Sequence, residues 1–246
     1  MSCTTATAGP SVNVFLSALP ALAYVWTLPF LSVWGFAESC WNCNPHIGSS
    51  ISNYIANPHA TGGMAAAFFF PCMLMWEPIA EPMNSKISAW TLWLFQLSFG
   101  LFLVFTVTWA PWLHGTVVGI FCVCAFVHAA NNTIRLLRIH NTRNLWAYHG
   151  LHAGYRSICF LKLCIVLLVI QAIAFAGIIC LDVFGNTFPH SRLLTQDAPW
   201  LFWMLESIGL SALVLVTPMW IAASDTVSHR EDRVYHCLSS DDNDID

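Results

Sequence analysis

The sequence predicts an all-α polytopic membrane bundle of six transmembrane helices with the N- and C-termini both cytosolic. Three observations carry that prediction. Of 246 residues, 57% are hydrophobic and 9% charged, against about 25% charged in an ordinary soluble domain. Six apolar runs approach the roughly 17 to 25 residues that a helix needs to cross a hydrocarbon core about 30 Å thick. When those runs are threaded back and forth from a cytosolic N-terminus, all but one of the bases between and beyond them fall on one side.

The first run is Val14 to Phe36, expected to act as the signal anchor, because the residues before it lack Lys and Arg and the run exceeds a cleavable signal core. The second covers about 60–76 and is the shortest; Pro71 interrupts it, and Glu77-Pro78 and Glu81-Pro82 beyond it cannot sit in hydrocarbon. The third is Ile87 to Trp109. Only Ala110 and Pro111 separate it from the fourth, Trp112 to Ala130, which predicts a tight hairpin. The fifth is Ser157 to Leu181, with Lys162 placed to snorkel at its cytosolic end. The sixth, Pro199 to Ala223, carries Glu206 and Pro218. On this threading Lys86, Arg135, Arg138, Arg143, Arg156, Arg230 and Arg233 are inside and Arg192 outside, as the positive-inside rule requires. No internal repeat and no long linker divides 1–223, so it reads as a single membrane domain.

Residues 224–246 differ in kind. They hold seven acids and two bases, a composition that predicts a disordered acidic cytosolic tail. Within it Tyr235-His236-Cys237-Leu238 has the form of a tyrosine-based sorting signal, with Tyr235 and Leu238 as the residues an adaptor would read. The Ser239-Ser240-Asp241-Asp242 run has the form of an acidic phosphorylation site, where each phosphate would add up to about −2.

A charge in mid-membrane costs about 2.5 to 3.5 kcal/mol on insertion scales, so Glu206 needs a reason. It lies roughly 10 Å below the outer surface by helical rise. His114, near the outer end of the fourth span, is close to it in depth, and the expectation is that the two pair. The outer loop, Glu38 to Thr61, is turn-rich and free of bases. Folded over the bundle it would present Ser50 or Ser52 to His114 and Glu206, a set of the kind acyl transfer uses. The alternative for the same residues is a capped turn and a structural bond between helices.

Cys40 and Cys43 form a CxxC on the non-cytosolic side, which predicts a local disulfide, with free thiols as the alternative. The remaining cysteines read as packing thiols. Arg135, Arg138, Arg143 and Arg156, with His140, His149 and His152 nearby, suit contact with anionic headgroups rather than a metal. No cofactor, metal or nucleic-acid partner is expected, since there is no basic footprint. The Asn131-Asn132-Thr133 sequon falls on the cytosolic side, where glycosylation is not expected. Gln96, Gln171, Ser211 and Thr217 are expected to tie helices together.

Taken together these residues resemble the DRAM, Frag and Sfk family of six-span membrane proteins, which includes autophagy modulators and the factor that remodels GPI-anchor lipid. The resemblance runs over nearly all of residues 12–226. Asn44, Pro45, Ile47 and Ser50-Ile51-Ser52 match the loop signature, His114 the histidine of the fourth span, and Met204-Leu205-Glu206 the glutamate of the sixth. His128, fourteen residues after His114, looks most like the GPI-remodelling branch, and Asp225 stands near the acid closing the last helix. Where the family often has an acid after the histidine, this chain has Gly115. The resemblance implies an endomembrane protein, of lysosome, endosome or Golgi with the plasma membrane also open. It would be a regulator or accessory factor in lipid handling, autophagy or GPI-anchor remodelling, its partners being membrane lipids and trafficking adaptors. The rival is a membrane acyltransferase or hydrolase acting on a GPI or phospholipid ester through His114, Glu206 and Ser50 or Ser52.

Overall fold

The computed structural model describes the backbone at 12–38, 48–76, 86–146, 154–188 and 196–241, and side chains there except at 12–13, 139–146, 154–157 and 224–241. The described residues are all-helical: α1 (Val12–Leu16), α2 (Leu19–Val33), α3 (Ile51–Tyr54), α4 (Pro58–Leu74), α5 (Lys86–Val104), α6 (Pro111–Trp146), α7 (Gly154–Thr187) and α8 (Leu201–Asp241). Five stretches are long and apolar enough to cross a membrane: Val14–Val33, Lys86–Val104, Pro111–Arg138, Ile158–Thr187 and Leu201–Ala223. The chain is a helical membrane protein.

The helix ends follow local chemistry. α2 carries Pro20 in its first turn and closes in a Schellman turn, with Gly35 at φ 74°, its N–H on Ser32 O (3.2 Å) and the Phe36 N–H on Leu31 O (3.0 Å). Asn57 caps α4 by accepting from the Ala60 N–H at 2.8 Å, and Pro58 opens that helix. α4 has 17 residues, about 25 Å of helix, so it falls just short of the other five.

One expectation changes here. The two-residue hairpin at Ala110-Pro111 is instead a connection over 105–110, because β-branched Thr106, Val107 and Thr108 disfavour helix and Pro111 starts the next one. α8 runs on through residues 224–241. After Pro218 the chain contains no Gly or Pro, so nothing interrupts the backbone ladder.

α5 and α6 pack as an antiparallel pair through Phe95, Phe99, Phe102 and Phe121. α7 and α8 form a second, in which Gly177 admits Leu205 and Gly209 admits Phe175. α2 meets α4 where Gly63 lies under the Tyr24 ring, whose hydroxyl donates to Ala60 O. Such contacts suit a membrane, where close packing of small residues replaces the hydrophobic drive between helices. α4 then descends beside α5, with Phe68 against Phe99 and Gln96 Nε2 donating to Cys72 O at 2.7 Å. The ends of α2 and α5, the starts of α4, α6 and α8, and all of α3 therefore gather at one end of the bundle, called here the capped end.

Candidate functional site

At the capped end the segment Ser49 to Tyr54 is strapped across the bundle. Ser49 donates to Pro199 O through its N–H (2.8 Å) and its hydroxyl (2.9 Å), and its own carbonyl accepts from the Trp203 N–H at 3.1 Å. That last bond caps an orphan donor in the first turn of α8. α3 is capped in return. Ser50 Oγ accepts from the Asn53 N–H at 3.2 Å, and Glu206 Oε2, one turn into α8, accepts from the Ile51 N–H at 2.5 Å. The residue ahead of α3 thus supplies an acceptor to the start of α8, and α8 supplies one to the start of α3.

One residue further on, Ser52 meets α6. Its hydroxyl lies 2.8 Å from His114 Nε2, and His114 Nδ1 lies 2.6 Å from Phe105 O. A carbonyl only accepts, so Nδ1 carries the proton, and Nε2 of the neutral ring accepts from Ser52. The Phe105 carbonyl is free for this because α5 ends at Val104, and the last carbonyls of a helix lack intrahelical partners. His114 is 6% exposed and lies tilted against Phe102, with ring centroids 5.1 Å apart. Ser52 and His114 border a crevice with Ile55, Thr61, Phe102, Leu103 and Thr106, too narrow in this conformation for a water molecule.

Sequence reasoning brought the right residues to one end and joined them wrongly. His114 and Glu206 do not bond to each other; each holds its own residue of α3, Ser52 and Ile51 respectively. Depth along a helix was readable, but the short helix between them was not. Ser50 is spent as a cap, so Ser52 alone of the two serines faces the imidazole.

A second polar cluster, unread in the sequence, sits at the opposite end between α5, α6 and α8. His128 Nδ1 donates to Ser88 O at 3.1 Å, and His128 Nε2 accepts from Asn132 Nδ2 at 3.1 Å. Ser88 Oγ donates to Asn132 Oδ1 (2.6 Å) and accepts from Asn131 Nδ2 (2.7 Å). Trp220 packs edge-on against His128 and donates to Thr133 Oγ1 at 2.9 Å. The signal was available: His128 and Asn132 stand at i, i+4, and any antiparallel α5–α6 pairing brings Ser88 opposite them.

Of the expected helix ties, Gln96 bonds α4, and Ser211 accepts from Trp26 Nε1 at 2.9 Å. Gln171 Nε2 and Thr217 Oγ1 are buried without a partner among the described residues. Arg135 is half-buried and Arg138 exposed, both on α6 beyond the second cluster. The side chains of Arg143, Arg156, Tyr235 and Leu238 lie outside the described residues, as do Cys40 and Cys43. Cys72, Cys122, Cys124, Cys159, Cys164 and Cys180 are free thiols. Among the described residues no three metal-ligating side chains cluster.

Fold and site define a class: a helical membrane protein in which the segment Ser49 to Tyr54 is locked into one end of the bundle by groups from two of its long apolar helices. No family profile, curated protein or solved structure matches the chain.

Proposed function

We propose that this chain is a six-span endomembrane protein that acts as a regulator or accessory factor in lipid handling, in autophagy or GPI-anchor lipid remodelling, as its resemblance to the DRAM, Frag and Sfk family implies. The observation that carries the reading is the lock at the capped end. Buried polar groups of α6 and α8 are used to hold a loop in place rather than to line a path, which suits a protein that presents a fixed surface at the membrane face. Six traversals follow if α4 counts as a span, since it starts at the capped end and α5 returns there. Exposed Trp34, Trp109 and Trp112 at that end, with Trp90 and Trp93 towards the other, match the two aromatic belts of a membrane protein.

On this reading both termini are cytosolic, and Tyr235 to Leu238 address the protein to endosome or lysosome through an adaptor. Arg135, Arg138, Arg143 and Arg156 contact anionic headgroups, each contributing about 1 kcal/mol. Substituting Arg135, Arg138 and Arg143 by Ala is expected to weaken binding to anionic liposomes.

The test of the function is lipid profiling of cells that lack the protein. The expected result is an altered profile, restored by the wild type and by Glu206→Gln, which keeps an acceptor for the Ile51 N–H, but not by Glu206→Leu at equal abundance. An unchanged profile on loss of the protein contradicts the proposal.

A further inference from the structure

We propose that Ser52 is an acyl-accepting nucleophile with His114 as its general base, acting on the carboxylic ester of a lipid presented at the capped end. This goes beyond an accessory role and rests only on the membrane setting of that reading. Nucleophilic catalysis by serine needs a hydroxyl bonded to a base and a third group that holds the base in the right tautomer. Ser52, His114 and the Phe105 carbonyl meet those needs at 2.8 and 2.6 Å, with the Nε2 lone pair facing the hydroxyl.

His128 provides an internal contrast. Its Nδ1 is also held by a backbone carbonyl, but its Nε2 faces the amide of Asn132, which has no proton to yield to a neutral imidazole in a reaction. The crevice beside Ser52 has apolar walls in Ile55, Phe102 and Leu103, which suits an acyl chain once those side chains part.

In the reaction, Ser52 Oγ bonds to the ester carbonyl carbon while its proton passes to His114 Nε2. The tetrahedral intermediate collapses by breaking the bond to the lipid alkoxide, which takes that proton and leaves as the alcohol. The acyl group remains as a Ser52 ester, until a second alcohol or water, deprotonated by His114, attacks it and the proton returns to Ser52.

The test uses the full chain, purified and placed in lipid nanodiscs, with a long-chain alkyl fluorophosphonate as probe and peptide mass mapping as readout. Phosphonylation releases fluoride and leaves a stable adduct on an activated serine. The expected result is one adduct on Ser52, absent in Ser52→Ala, formed at least about 100-fold more slowly in His114→Asn, and formed at the wild-type rate in Asn131→Ala. No adduct on Ser52 of the wild type, an adduct on Ser50 instead, or equal rates with and without His114 overturns the proposal. The wild-type measurement decides even if a variant fails to fold. Cellular lipid profiling is a separate readout, so failure here leaves the lipid-handling proposal standing.

Discussion

α6 carries two buried histidines fourteen residues apart, about 21 Å along the helix, and both hold the Nδ1 proton against a backbone carbonyl. They differ in what meets Nε2. At His128 it is Asn132, one turn further along the same helix, in a cluster closed by Ser88 and Trp220. At His114 it is Ser52, brought from a loop 62 residues away by a four-residue helix that Glu206 holds from the other side. Identical anchoring therefore serves two ends: a self-contained strut between helices, and a contact that exists only while the loop is seated. The first should govern stability and the second should govern what the capped end can do.

The comparison breaks most readily at the strut. His128→Ala removes a ring that is 2% exposed, empties the space beside Trp220 and deletes its bonds to Ser88 O and Asn132 Nδ2. The expected cost is about 2–4 kcal/mol, read as a lower midpoint of thermal unfolding in detergent. At the capped end, Glu206→Leu strands the Ile51 N–H and is expected to cost about 1–3 kcal/mol. Its signature is local: faster amide hydrogen exchange over 49–54, with protection around His128 unchanged. Glu206→Gln should restore most of that protection.

How much of this was legible follows from what each signal encodes. Run lengths gave the helices, because crossing hydrocarbon imposes length and composition directly. α4 was the exception in length, as Pro71 and the Glu-Pro pairs after it suggested. Depth arithmetic put Ser52, His114 and Glu206 at one end, yet it carries no azimuth, so it could not show that Ile51 and Ser52 stand between the other two. The His128 cluster was missed because its members read singly, His128 as a family resemblance and Asn131-Asn132-Thr133 as a sequon, and only the α5–α6 register joins them.

Two smaller effects sharpen the contrast. Gly63→Ala places a Cβ 2.8 Å from the Tyr24 ring, so the ring must shift and lose its bond to Ala60 O, at an expected cost of about 1 kcal/mol, near the low end for overpacking. Thermal unfolding would read it as a modest drop. Ser52→Ala deletes one interhelical hydrogen bond, for which the typical membrane value is about 0.6 kcal/mol, so its unfolding midpoint should barely move.

The central claim, that a seated loop places the Ser52 hydroxyl on His114 Nε2, is tested most directly by ¹⁵N NMR of histidine-labelled protein in nanodiscs. Both His114 and His128 should carry the proton on Nδ1, and Ser52→Ala should move the Nε2 resonance of His114 alone. A His114 protonated on Nε2, or one whose signal ignores the substitution, would contradict the claim.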